Sequence, residues 1–211
     1  MVIDNFNKKL DLMIPDARCE LNYKKDYELL IATVLSAQCT DKRVNEVTSV
    51  LFSKYDLNGL KNANKRDIEN IIRSCGSYTK KASYIKDIAT SLIDNYNGVV
   101  PNNREYLESL PGVGRKTTNV VLSNLFNEAA IAVDTHVERV SKRLRIARKN
   151  DDVLTVEKKL MKMIPKDEWS KSHHQMVLFG RYICKARGPL CNECAFYDDC
   201  YSKDKKKVIN S

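Results

Sequence analysis

Four cysteines crowd the C-terminal region with the spacing Cys184-x6-Cys191-x2-Cys194-x5-Cys200, while Cys19, Cys39 and Cys75 are scattered. Seven is an odd total, and the first twenty residues carry no secretory signal, so a disulfide framework is not expected. Four thiolates at these intervals suit a metal centre. Tetrahedral zinc and an iron–sulfur cluster both accept this ligand set, and the ligands alone do not choose between them. Lys185 and Arg187 fall inside the first loop of the cluster, where they either face phosphates or stand as solvated loop charges.

A second constellation surrounds Leu110-Pro111-Gly112-Val113-Gly114-Arg115-Lys116-Thr117. Gly112 and Gly114, on either side of Val113, let a backbone turn tightly and come close to a ligand. The apolar helix that follows starts with unsatisfied N–H groups and a positive dipole end, which suit a phosphate. An ordinary helix–turn–helix corner fits the same spacing. From Lys116 to about residue 127 a helix climbs some 17 Å at ~1.5 Å per residue. An extended Ala129–Val133 segment runs back about as far at roughly 3.3 Å per residue. Asp134 is thereby expected to return towards Lys116 and form an amine–carboxylate pair. A lysine attacks only as its neutral amine. Asp134 also fits as the N-cap of a helix starting at Thr135, and the two roles are compatible.

The elements that must hold these groups are helical. Tyr27, Leu30, Ile31, Val34 and Leu35 follow one buried helix face. Asp67 is expected to cap a helix through Ile68, Ile71, Ile72 and Cys75 that stops at Gly76. A longer stripe runs from Ala82 to Tyr96 and ends at Asn97-Gly98. Others run through Val137, Val140 and Leu144, and through Val153, Val156, Leu160 and Ile164. No segment alternates with period two, so the expected class is all-α. Lys203 to Ser211 is expected to be a frayed polar tail.

Lys and Arg number 36 against 27 Asp and Glu, a formal charge of +9. That excess points to a polyanionic partner such as nucleic acid, although a merely solvated basic surface gives the same sum. No apolar run approaches the roughly 20 residues of a membrane helix, so no membrane association is expected, and a cytoplasmic location follows.

Taken in order, several segments resemble the endonuclease III family of helix–hairpin–helix DNA glycosylases. They are Leu35-Ser36-Ala37-Gln38-Cys39-Thr40-Asp41, the Leu110–Thr117 hairpin, Ala132-Val133-Asp134-Thr135-His136-Val137, His173-His174, Gly180-Arg181-Tyr182 and the four clustered cysteines. The likeness covers nearly the whole chain. It implies a six-helix barrel over residues 22–132 and a terminal domain joining residues 1–21 to 133–211, with a DNA cleft between them. It implies a structural 4Fe–4S cluster on Cys184, Cys191, Cys194 and Cys200, rather than zinc. The implied partner is damaged double-stranded DNA, bound by a monomer associated with the nucleoid through that DNA.

The resemblance also assigns roles. A damaged nucleotide is flipped out of the duplex, Lys116 attacks C1′ of its sugar, the base leaves, and the Schiff base allows β-elimination of the 3′ phosphate. Asp134 activates the lysine or stabilises the positive sugar. Gln38 fills the gap left by the flipped nucleotide, while Leu110, Gly112, Val113, Gly114, Lys185 and Arg187 meet DNA. Oxidised or ring-saturated pyrimidines and abasic sites are the implied substrates, with Asp41 a candidate for reading the base.

Ser77 departs from the bulky wedge usual in the family, Thr118 from an alanine and Phe179 from a histidine. His136, His173 and His174 read as structural. The run Arg139, Lys142, Arg143, Arg145, Arg148, Lys149 reads as a phosphate-facing surface or a solvated helix face. Two other functions fit less of the chain: a monofunctional glycosylase of the same fold, and a non-enzymatic DNA-binding redox sensor.

Overall fold

The structure is a computed structural model and describes residues 5–205. The part of the expected tail beyond Lys205 lies outside the described residues. All regular elements among the described residues are helical, and none of these helices is long and apolar enough to cross a membrane. The chain divides into two compact units, one of residues 19–126 and one joining the residues up to Arg18 with those from Asn127 onward. The helix α1 (Phe6–Met13) belongs to the second unit.

The continuous unit is built around α2 (Asp26–Leu35), whose residues from Leu29 to Leu35 are all buried. A helix apolar on every side has to sit in the middle of its unit. Its one buried acid, Glu28, turns back to accept from the N–H groups of Lys24 at 2.6 Å and Lys25 at 3.3 Å. Around it run α3 (Asp41–Lys54), α4 (Leu57–Asn62), α5 (Lys65–Ile71), α6 (Tyr78–Tyr96), α7 (Arg104–Ser109) and α8 (Arg115–Phe126). Thr40, Asp56, Asn64 and Asn103 cap α3, α4, α5 and α7 through side-chain oxygens, each contributing about 1 kcal/mol.

The cap of α5 is Asn64, not Asp67. Asn64 accepts from the N–H of Arg66, and Asp67 sits within the first turn, where its charge meets the helix dipole. This helix closes at Ile71, well before Gly76. By contrast α6 does end at the Asn97-Gly98 pair, where both residues have positive φ (51° and 81°) and Gly98 N–H donates to Leu92 O at 2.9 Å.

In the discontinuous unit α1 packs against α11 (Trp169–Tyr182), α11 against α9 (Thr135–Arg143), and α9 against α10 (Val153–Met163). Its core includes Phe6, Leu10, Val137, Val140, Val156, Leu160, Met176, Phe179 and Phe196. The Phe196 ring lies 5.4 Å from both Phe6 and Phe179. Such a fully buried phenylalanine is worth about 3–5 kcal/mol against alanine. Where α9 meets α11, a Cβ on Gly180 would sit 2.8 Å from His136 Cβ, so only glycine allows this approach. Residues 127–134 form no regular element. Ile131 and Val133 bury in this second core and Leu21 in the first.

Candidate functional site

The hairpin between α7 and α8 shows how the sequence separates anchoring from exposure. Leu110 and Val113 are buried in the core, and Val113 N–H donates to Leu110 O at 3.1 Å. Their side chains are committed to packing, so only their backbone can meet a ligand. Gly112, between them, and Gly114, just after Val113, are both exposed, for different reasons. Gly112 has φ +77°, and a Cβ there would lie 2.5 Å from Tyr84 Cδ2. Gly114 has no such strain, and a Cβ on it would meet nothing within 4 Å. The first turn of α8 then opens with Arg115 and an exposed Lys116, and Thr118 N–H returns to Gly114 O at 3.0 Å. Gly112→Ala is therefore expected to destabilise the fold by roughly 1–3 kcal/mol. Gly114→Ala should cost no more than about 1 kcal/mol, the usual loss on placing alanine at a helix N-cap. Urea unfolding of the two variants checks the difference; equal losses would defeat it.

Gln38 stands exposed in the turn between α2 and α3, with φ 56°, and Ser77 stands exposed at the start of α6 with the same φ. The two turns adjoin: a Cβ on Gly76 would lie 3.7 Å from Gln38 O. Beneath them is a group that the sequence reading missed. Lys81 is 5% exposed, and its ammonium donates to Leu35 O at 2.9 Å and Ala37 O at 2.6 Å, satisfying carbonyls at the end of α2. Desolvation lowers its pKa, opposed by the nearby thiols of Cys75 and Cys39. A signal was present: Lys81, Ile85, Ile88 and Leu92 share one helical stripe, so the lysine stands in a core register.

In the other unit, Asp134 is the N-cap of α9. Its Oδ1 accepts from the N–H groups of His136 and Val137, both at 2.8 Å, which fixes the carboxylate's orientation. His136 Nδ1 accepts from Arg139 Nη2 at 3.1 Å. Burial holds its pKa below the usual histidine range, against the pull of Asp134. A neutral, hydrogen-bonded imidazole packed against Gly180 is a structural one.

Cys184 follows α11, Cys191 opens a 3-10 turn over Cys191–Glu193, and Cys194 and Cys200 follow. None is in a disulfide. All four line one small pocket, with Arg143, Ile183, Leu190 and Tyr197 among its walls. Among the described residues, no three His, Cys, Asp or Glu side chains close on the position of a single metal ion. Burial pushes the Cys194 thiol up to about 11, and the other three cysteines add to that effect. Burial pushes the Cys184 thiol up as well, and a cationic iron core is the kind of group that offsets this, so the residues fit an iron–sulfur cluster.

The basic run is not the uniform surface expected. Arg143 is an internal clamp, only 9% exposed at its side chain. It donates to Cys184 Sγ at 3.3 Å, Cys184 O at 3.2 Å and Lys185 O at 2.7 Å, and it pairs with Asp204 at 2.9 Å. Arg139 donates to Cys184 O at 3.1 Å and Gly180 O at 2.6 Å. Lys142 pairs with Glu138, and the Arg145 guanidinium covers the Tyr201 ring at 4.0 Å. Arg145, Arg148 and Lys149 are the exposed members of the run. Lys185, partly exposed, and Arg187, exposed, stand on the loop between the first two cysteines.

Residues 31–166 match the family model of the HhH-GPD superfamily base excision DNA repair proteins. The chain is similar to endonuclease III of Bacillus subtilis (strain 168), 48% identical over 95% of this chain and 94% of that protein. It is 43% identical to endonuclease III of Synechocystis, over 92% and 89%. Among solved structures it resembles a trapped endonuclease III–DNA covalent intermediate, with a TM-score of 0.88, 54% identity and 92% of each chain covered.

Proposed function

We propose a division of labour for a chain that belongs to the endonuclease III family of HhH-GPD base excision DNA repair proteins. The protein is a bifunctional DNA glycosylase and lyase. Lys116 is its nucleophile. The observation that carries this assignment is an exposed lysine in the first turn of α8, directly after a hairpin whose Gly114 backbone faces open space. Hairpin amides hold a phosphate of the damaged duplex, which sets the flipped nucleotide's sugar beside the lysine. The neutral amine attacks C1′, the C1′–N bond breaks, and the base departs with a proton. The nitrogen lone pair then expels O4′, which takes up a proton as the C1′–O4′ bond breaks, and the protonated imine so formed acidifies C2′–H; loss of that proton breaks the C3′–O bond and releases the 3′ phosphate.

Asp134 accepts a proton from the lysine as its amine attacks, or balances positive charge on the sugar, its orientation fixed by the cap bonds to His136 and Val137. Gln38 enters the gap in the duplex from its exposed left-handed turn. Lys185 and Arg187 contact phosphates from the cysteine loop. Cys184, Cys191, Cys194 and Cys200 hold a 4Fe–4S cluster, a role supported by four thiols lining one pocket. When bound, the cluster braces that loop and takes no part in bond breaking. The substrates are oxidised or ring-saturated pyrimidines and abasic sites, met by a monomer in the cytoplasm.

Borohydride reduction tests the reading. Incubation with a duplex carrying one oxidised pyrimidine should yield a covalent protein–DNA adduct. Base release without any adduct would identify a monofunctional glycosylase instead. A further expectation concerns Ser77, whose small side chain cannot plug a base stack as leucine does. Ser77→Leu should bind lesion-bearing duplex as well as wild type or better in a gel-shift titration. Loss of binding would show that Ser77 makes a specific contact.

A further inference from the structure

Two thiols outside the cysteine centre face each other. Cys39, in the turn between α2 and α3, and Cys75, in the turn before α6, place their sulfurs 3.6 Å apart. Cys75 is fully buried, whereas Cys39 is partly exposed. Lys81 lies near enough for both sulfurs to act on it, and its ammonium already ties down Leu35 O and Ala37 O. The residues beside the two thiols, Gln38 and Ser77, hold the two exposed left-handed turns, and Gly76 rests against Gln38 O.

We propose that Cys39 and Cys75 are a modification site at which a small-molecule disulfide installs an intrachain disulfide, joining the Gln38 turn to the Ser77 turn. Cys39 is the accessible partner and attacks first. Its thiolate displaces one thiolate from the reagent, which takes up a proton and leaves a mixed disulfide on Cys39. The Cys75 sulfur then gives up its proton and attacks Cys39 Sγ, and the second reagent thiolate departs with that proton. Two protein thiols and one disulfide become one protein disulfide and two small thiols, two electrons passing to the reagent. Burial pushes the Cys75 thiol up to about 12, with Cys39 adding to the rise and Lys81 opposing it. The second step is consequently the slow one, with the Lys81 ammonium placed to stabilise the thiolate. A disulfide needs about 2.05 Å between sulfurs, so the pair must close by roughly 1.5 Å. Both residues lie in turns between helices, where the backbone gives more easily than within one.

The test uses the purified full-length protein with its iron in place, exposed to oxidised glutathione. Peptide mapping should find Cys39 joined to Cys75, a link that dithiothreitol releases. Cys75→Ser should instead retain glutathione on Cys39, and Cys75→Ala repeats that arm without a buried hydroxyl. Glutathione on Cys39 of the wild type with Cys75 unlinked, or neither thiol modified, would overturn the proposal. A second readout rests on the reading of Gln38 as a gap filler. Oxidised wild type should bind abasic-analogue duplex about tenfold more weakly, the scale of one lost interfacial contact, and reduction should restore it. A mapped Cys39–Cys75 link with unchanged binding would uphold the thiol pair and refute the role of Gln38.

Discussion

Lys116→Gln protein should bind lesion-bearing duplex and form no borohydride-trapped adduct, with base release down on the order of 10⁴-fold or more, as when an enzyme loses its nucleophile. The substitution is clean because Lys116 is exposed and its neighbours in the core do not depend on it. Stability should stay within about 0.5 kcal/mol of wild type. Asp134→Asn is the companion. Asparagine caps a helix as well as aspartate, so the bonds to His136 and Val137 survive while the charge is lost. Base release should fall by about 10²- to 10⁴-fold, the range of a proton-transfer group. Single-turnover assays on an oxidised pyrimidine measure both. Trapping of Lys116→Gln at the wild-type rate would assign the chemistry to another amine.

The second large effect concerns the cysteine centre. Protein purified after growth with ample iron should be yellow-brown with about four irons per chain, and Cys194→Ser should lose both colour and iron. Cys194 is the informative choice because the other three cysteines all bear on it. Four-thiolate structural sites contribute on the order of 10 kcal/mol to folding, comparable with the whole stability of a domain. The single tryptophan, Trp169, packs against the core of the same unit. Its fluorescence should shift red in Cys194→Ser as that unit opens. Colourless wild-type protein holding one zinc, or full iron in the variant, would sink the cluster assignment.

Local pattern made much of this legible. The stripe from Ala82 to Tyr96 and its Asn97-Gly98 stop were readable because helix periodicity and left-handed caps are sequence-local properties. The cap of α5 was not, since Asn64 and Asp67 are both good caps and only the fold says where the helix begins. Leu110 and Val113 read as ligand contacts because the motif does not tell side chain from backbone; packing assigns their side chains to the core. The largest gap concerns buried cations. Lys81, Arg139 and Arg143 look like surface charges until their carbonyl partners, up to 46 residues away in sequence, are seen. Such partners are set by tertiary structure, and no spacing rule anticipates them.

The discontinuity of the second unit sets an order on how the chain comes together during synthesis. Residues 19–126 are contiguous and gather their whole core as they leave the ribosome. The helix α1 cannot, because Phe6 and Leu10 pack with residues as late as Phe196. At ~5–20 residues per second, the 186 residues from Leu10 to Phe196 take roughly 10–40 s to emerge. For most of that interval the apolar face of α1 lacks α11 as well as Phe196, so it is exposed to chaperones before its own core is complete. Assembly of the proposed cluster would wait longer still, for Cys200 must clear the exit tunnel before four ligands are present.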